Sequence, residues 1–247
     1  LDYGVSEVIG DRAYHRDPEV VSRLAVACMQ GMRTAGMAAT AKHFPGHGAV
    51  VADSHKALPV DRRPLTELTD ELLPYRRMIA NGLTSVMVAH VLFPEVDEAP
   101  AGFSARWIQQ ELRWGLGFTG AVFSDDLSMG GAAFAGTVPE RARRAIDAGC
   151  DLLPICNDRP AVLATLAELL PLVVHRQCQQ VAGGGGAGAG GADAGLVGQA
   201  VLVAGDRRGI VVAFWCGQVL GGGIGFSPGD GVMQVVGPAA VQQLQAG

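Results

Sequence analysis

At 247 residues, 49% hydrophobic and 17% charged, the chain is long enough to bury one sizeable core, so one α/β-sized unit is expected. The net charge of -5 comes with no basic patch, which argues against nucleic acid as a partner. No apolar run reaches the roughly 18 residues that span a bilayer, so no membrane association is expected. In chain order, Asp17-Pro18-Glu19 caps and opens a helix with Val20, Val21, Leu24, Cys28 and Met32 on one face and Gly36 closing it. A strand follows over about 37–42, then a helix over about 71–81, with Pro74 blurring its start. Residues 84–89 read as a buried strand. Ser104 caps a helix through Trp114, and 119–123 is the next strand. The pattern Thr137-Val138-Pro139-Glu140 is a capping box opening a helix to Ala148. A strand over 151–155 and a helix over 160–170 complete the series.

Strands near 37, 84, 119 and 151 with helices between them imply parallel βα units. Periodicity alone leaves two architectures open, a doubly wound sheet and a (β/α)8 barrel. After Gln177 the composition changes. Residues 178–247 hold 20 of the 35 glycines and no Lys, Glu or Tyr. The run from Gly183 to Gly191 is low in complexity and costly to order. Gly209 to Cys216 is apolar enough to pair as a strand. The expected division is therefore a catalytic unit over 1–177 and a Gly-rich tail over 178–247, disordered or non-native and without assigned function. The chain opens on Leu1-Asp2-Tyr3 with no initiator Met or leading element, so an upstream portion is expected.

In either architecture, function sits at the carboxyl ends of the strands. There the chain places Lys42-His43-Phe44-Pro45-Gly46-His47-Gly48, then His90, then Ser124-Asp125-Asp126, then Cys156-Asn157-Asp158. A purely structural sheet has no reason to gather imidazoles, a lysine and acids at one end of successive strands. Asp53 stands two residues before His55, where its carboxylate can accept a hydrogen bond from the ring and fix the tautomer. Asp126 is expected to orient backbone rather than react, and His47 to steady the Gly46–Gly48 turn. Small residues between Gly46 and Lys56 suit a loop that opens and closes. Trp107 and Trp114, seven apart, read as helix-packing groups.

Lys42-His43-Phe44-Pro45-Gly46-His47-Gly48, Asp53-Ser54-His55 and Phe123-Ser124-Asp125-Asp126-Leu127-Ser128-Met129, in that order and spacing, resemble glycoside hydrolase family 3. Within it the likeness is to the bacterial β-N-acetylglucosaminidases of cell-wall recycling. Ile9-Gly10-Asp11-Arg12-Ala13 and Asp147-Ala148-Gly149-Cys150-Asp151 extend it over about residues 1–176. The resemblance implies a partial (β/α)8 TIM-type barrel, about strands 4–8, with Asp2 at the end of the fourth strand. It implies a retaining, double-displacement exo-β-N-acetylglucosaminidase acting on N-acetylglucosaminyl-anhydromuramyl peptides. Asp125 would be the nucleophile, and His55, paired with Asp53, the acid/base. Arg12, Lys42 and His43 would contact the sugar. No cofactor or metal is implied, and a monomer is expected.

Other readings compete with this one. A metal-dependent hydrolase would use His43, His47, His55 and Asp125, but Pro45 and Gly46 break the helix that an HxxxH pair needs. The chain could also be an inactive sugar-binding remnant, or a family 3 glycosidase or phosphorylase of other specificity. The five cysteines, odd in number and without a CxxC, argue against a disulfide framework. With the family likeness, they point to a cytoplasmic protein.

Overall fold

The computed structural model describes residues 1–169 and the backbone of 198–206, 209–217, 224–226 and 233–236. Four short strands, β1 (Thr40–Phe44), β2 (Ser85–Val88), β3 (Ala121–Ser124) and β4 (Leu152–Ile155), pair in parallel and in sequence order. A doubly wound sheet reverses its strand order, whereas a barrel wall does not. The sequential order therefore favours a segment of barrel wall, and periodicity could not make that choice. β4 is buried at all four positions, so both of its faces are covered, whereas β3 alternates, with Val122 and Ser124 buried and Ala121 and Phe123 half-buried.

One expectation at the sheet edges needs correction. Residues 1–9 form no strand, although the family likeness put the end of a strand at Asp2. Instead the Asp2 amide donates to the His15 carbonyl at 3.1 Å. The described parallel wall thus has four strands rather than five. At the other edge, β4 pairs antiparallel with β6 (Gly209–Gly217), from Leu152 opposite Ala213 to Ile155 opposite Ile210. β6 in turn pairs with β5 (Gly198–Asp206). An open parallel edge offers unpaired backbone groups, and an apolar run can satisfy them. The expectation of disorder for the rest of 178–247 lies outside the described residues.

The connecting helices follow their caps. Asp17 accepts the Glu19 amide at 2.8 Å and opens α1 (Pro18–Thr34). Its buried face is Val21, Ser22, Ala25 and Met29, rotated from the expected one, and Leu24 is 45% exposed. The rotation arises because α1 packs chiefly on α2 (Thr69–Ala80), which selects the Val21–Ala25–Met29 ridge. Pro74 lies inside α2. There it forgoes only a bond to the carbonyl of exposed Asp70, so the helix starts earlier than the sequence suggested. α3 (Val138–Ala148) has the expected capping box, the Glu140 carboxylate accepting the Thr137 amide at 2.7 Å. Gly149 ends α3 at φ +114, backed by Gln109, where any Cβ would collide. A final helix covers 159–169. No helix among the described residues is long and apolar enough to cross a membrane.

The segment Arg106–Gly115 is a π-helix rather than an α-helix. Ser104 caps it as expected, its hydroxyl accepting the Trp107 amide at 3.0 Å. Its wider turn breaks the i, i+7 relation, which assumes 3.6 residues per turn. Trp107 is fully buried against Phe44 and Phe93, while Trp114 is 89% exposed. Trp107→Ala should therefore destabilise the protein by about 3–5 kcal/mol, read as a lower urea midpoint, and Trp114→Ala by less than about 0.5 kcal/mol.

Arg113 closes the amino-terminal side of the wall. It donates to the Gly120 carbonyl and to the Asp151 carboxylate, both at 2.7 Å, and Asp151 also accepts the Val122 amide at 2.7 Å. Asp151 thus anchors the start of β4 to β3, at the opposite end of the sheet from the polar cluster.

Candidate active site

The strand ends are in register, with Phe44 opposite Val88 and Val88 opposite Ser124. The residues that follow them, His90 and Asp125 among them, therefore gather at one end of the sheet. Asp125 comes directly after β3 and is 8% exposed. One carboxylate oxygen accepts the Asp126 amide at 2.9 Å, and the other lies 3.8 Å from His43 Nε2. Asp126 turns the other way. It accepts the Ser128 amide at 2.9 Å and the Cys156 amide at 3.0 Å, tying the loop after β3 to the end of β4. Of the acid pair, Asp126 is consumed by scaffolding, as expected, and Asp125 keeps an oxygen without a hydrogen bond.

Strand geometry ought to send Lys42 and His43 to opposite sides. The β1–β2 register slips between Lys42 and Phe44, so His43 falls outside the ladder. Its ring then reaches towards Asp125, while Lys42 is exposed. Both residues line a cleft of about 320 Å³ with Arg12, His47 and Gly48; its other walls come from α1 and α2, and Asp125 and His55 are not among its lining residues. Burial pushes the His43 pKa down to about 4, against the opposing pull of Asp125. His43 is therefore neutral at pH 7, and its 3.8 Å approach to Asp125 is a dipolar contact rather than an ion pair. Arg12 is exposed at the end of a short 3-10 turn and donates to the Val8 carbonyl.

Asp53 and His55 form the expected pair. Asp53 Oδ1 accepts both the His55 amide at 2.9 Å and the ring Nδ1 at 2.8 Å. These hydrogen bonds hold the Asp53 carboxyl below its ordinary range, the backbone bond contributing most. A carboxylate only accepts, so Nδ1 carries the hydrogen and Nε2 is left for proton exchange. The His55 side chain is 63% exposed.

The segment carrying this pair is anchored at its carboxyl end. The Ser54 and His55 carbonyls accept the Gly131 and Gly130 amides at 2.9 and 3.0 Å. The Ser54 hydroxyl is 2.9 Å from His47 Nε2. Any opening of the 46–56 loop at that end breaks these bonds. His47 is thus a buried strut that ties the Gly46–Gly48 turn to Ser54. A Cβ on Gly130 would stand 2.6 Å from the Lys56 carbonyl oxygen, and one on Gly131 2.8 Å from that of Ser54. The loop that leaves Asp125 and the loop that bears His55 are therefore laced together.

A support beneath the Gly46–Gly48 turn was not foreseen. Arg63 donates to Asp61 Oδ2 at 2.6 Å and to the buried Glu71 carboxylate at 3.0 Å. Glu71 packs so closely under Gly46 that a Cβ there would lie 2.8 Å from its carboxylate. Only the glycine at 46 hinted at this approach.

The model of the glycosyl hydrolase family 3 N terminal domain matches residues 4–176. The chain is 58% identical to a beta-hexosaminidase of Thiobacillus denitrificans over 170 residues, 68% of this chain and 47% of that protein. It is 54% identical to one of Nitrosospira multiformis over 170 residues, 68% of this chain and 49% of that protein. It spans about half the length of these relatives. Among solved structures, NagZ of Neisseria gonorrhoeae in complex with N-trifluoroacetyl-D-glucosamine matches at 50% identity and TM-score 0.63, covering 68% of this chain and 49% of that one. A family 3 beta-N-acetylglucosaminidase of Paenibacillus matches at 41% identity and TM-score 0.65, covering 67% of this chain and 32% of that one. The chain belongs to glycosyl hydrolase family 3.

Proposed function

We propose that the protein to which this chain belongs is a retaining exo-β-N-acetylglucosaminidase that removes β-linked N-acetylglucosamine from peptidoglycan fragments. The observation that carries the reading is the lacing of two loops, one bearing a carboxylate with an uncommitted oxygen and the other a carboxylate-oriented imidazole. The named activity of the relatives and the sugar bound by the gonococcal neighbour support it.

In the first step Asp125 attacks the anomeric carbon as the bond to the leaving oxygen breaks, and His55 delivers a proton to that oxygen. In the second, His55 takes a proton from water, which attacks the same carbon and releases Asp125, so the configuration is retained. Asp53 stays ionised and stabilises the imidazolium. Arg12, Lys42 and His43 contact the sugar from the cleft, and neutral His43 both donates and accepts hydrogen bonds there.

The test is an assay of the full-length protein on an N-acetylglucosaminyl-1,6-anhydromuramyl compound and on a β-glucoside, side by side. The N-acetylglucosaminyl bond should be cleaved with kcat/KM at least about 100-fold higher, because a site built around the acetamido group loses that interaction with glucose. Equal or better cleavage of the β-glucoside would overturn the assignment.

A further inference from the structure

His90 has no part in the chemistry above, yet it is a fully buried polar side chain close to Asp125. It follows β2, is fully buried, and lies flat on Phe103 with ring centroids 5.3 Å apart and 8° between planes. Its Nε2 is 3.1 Å from the Asp126 carbonyl oxygen. A carbonyl oxygen only accepts, so Nε2 carries the hydrogen and Nδ1 is the bare nitrogen. Nδ1 is buried without a partner among the described residues. Gly102 makes room for it, since a Cβ there would stand 3.1 Å away. Burial lowers the pKa of the ring, which is neutral at pH 7.

An apolar side chain would fill this pocket without burying an unpaired nitrogen, but would forfeit the bond to the Asp126 carbonyl. What the imidazole does supply is one directed hydrogen bond to the residue next to Asp125. Asp126 is held at each of its polar groups. Its amide faces Asp125, its carboxylate holds Ser128 and Cys156, and its carbonyl is held by His90 at 3.1 Å and by the Met129 amide at 3.2 Å. Without the His90 bond that carbonyl keeps only the longer Met129 bond, so the peptide whose amide orients the Asp125 carboxylate is held less firmly.

We propose that His90 is a positioning residue: through the Asp126 carbonyl it fixes the direction in which Asp125 presents its carboxylate to the sugar. The inference rests on Asp125 being the nucleophile. It is tested in the full-length protein with His90→Leu, His90→Asn and His90→Gln. Leu and Asn cannot reach the carbonyl, whereas the amide of Gln extends about as far as Nε2. Leu and Asn should lower kcat on an aryl β-N-acetylglucosaminide by about 10- to 100-fold with KM changed less than about threefold, as expected when a reacting group is misplaced by roughly 1 Å. Gln should recover kcat to within about fivefold of wild type. Wild-type kcat in Leu or Asn, or a Gln variant as slow as they are, would overturn the proposal.

If Leu loses cooperative unfolding, the smaller and polar Asn decides. Independently of activity, nitrogen NMR of the wild-type protein should show a neutral His90 ring at pH 7 with its hydrogen on Nε2. A hydrogen on Nδ1 at pH 7 would overturn the proposal even if both variants misfold. A wild-type protein inactive on the glycoside would count against the functional reading, while the NMR result would still decide the geometry of His90.

Discussion

Asp125→Asn is expected to cut turnover of an aryl β-N-acetylglucosaminide on the order of 10⁴-fold or more, as removal of a covalent nucleophile does elsewhere. The substitution keeps the size of the side chain and can still accept the Asp126 amide bond that orients it. It removes the charge and the nucleophilic oxygen and leaves the loop in place. The melting temperature should therefore hold within a few degrees while activity disappears. Asp126→Asn separates the two roles. That carboxylate ties the loop after β3 to the end of β4, so its loss should show mainly as lowered stability. Wild-type-like turnover in Asp125→Asn would end its assignment as nucleophile.

His55→Ala should discriminate between substrates. A leaving group that departs readily as an anion needs no proton in the first step, whereas a sugar or alkyl alkoxide does. The loss on poor leaving groups should reach about 10²–10⁴-fold, the usual contribution of a general acid. On activated aryl glycosides the first step should be nearly spared, leaving the second, base-dependent step slow. Azide attacks without being deprotonated, so it should restore turnover of the activated substrate. Asp53→Asn should give a weaker version of the same pattern, because the imidazole loses the carboxylate that fixes its tautomer. Equal loss on both substrate types, without azide rescue, would mark His55 as structural.

Both predictions depend on a placement that was only partly legible in the sequence. The four strands and their caps could be read because each βα unit carries local punctuation: Asp17 before Pro18, Ser104 before its helix, and Thr137 with Glu140. The Asp53–His55 bond was legible because two residues of separation leave little freedom. What escaped was whatever depends on neighbours distant in sequence. The face of α1 was misread because α2 selects it. The π-helical winding at Arg106–Gly115 turned Trp114 outward although its spacing from Trp107 suits an α-helix. The register slip that swings His43 towards Asp125 has no composition signal, since it belongs to the pairing of β1 with β2. Nor did any local pattern announce Arg63 and Glu71 beneath Gly46.

The covalent step gives the sharpest test of the whole account. The full-length protein would be incubated with a fluorinated N-acetylglucosaminide that forms its glycosyl ester faster than it hydrolyses it, then digested and mapped by mass spectrometry. One N-acetylhexosaminyl-type adduct should fall on the peptide containing Phe123-Ser124-Asp125-Asp126, with fragmentation locating it on Asp125. An adduct on Asp126, on Asp53 or on any other residue would contradict the account, as would release of product with inverted configuration.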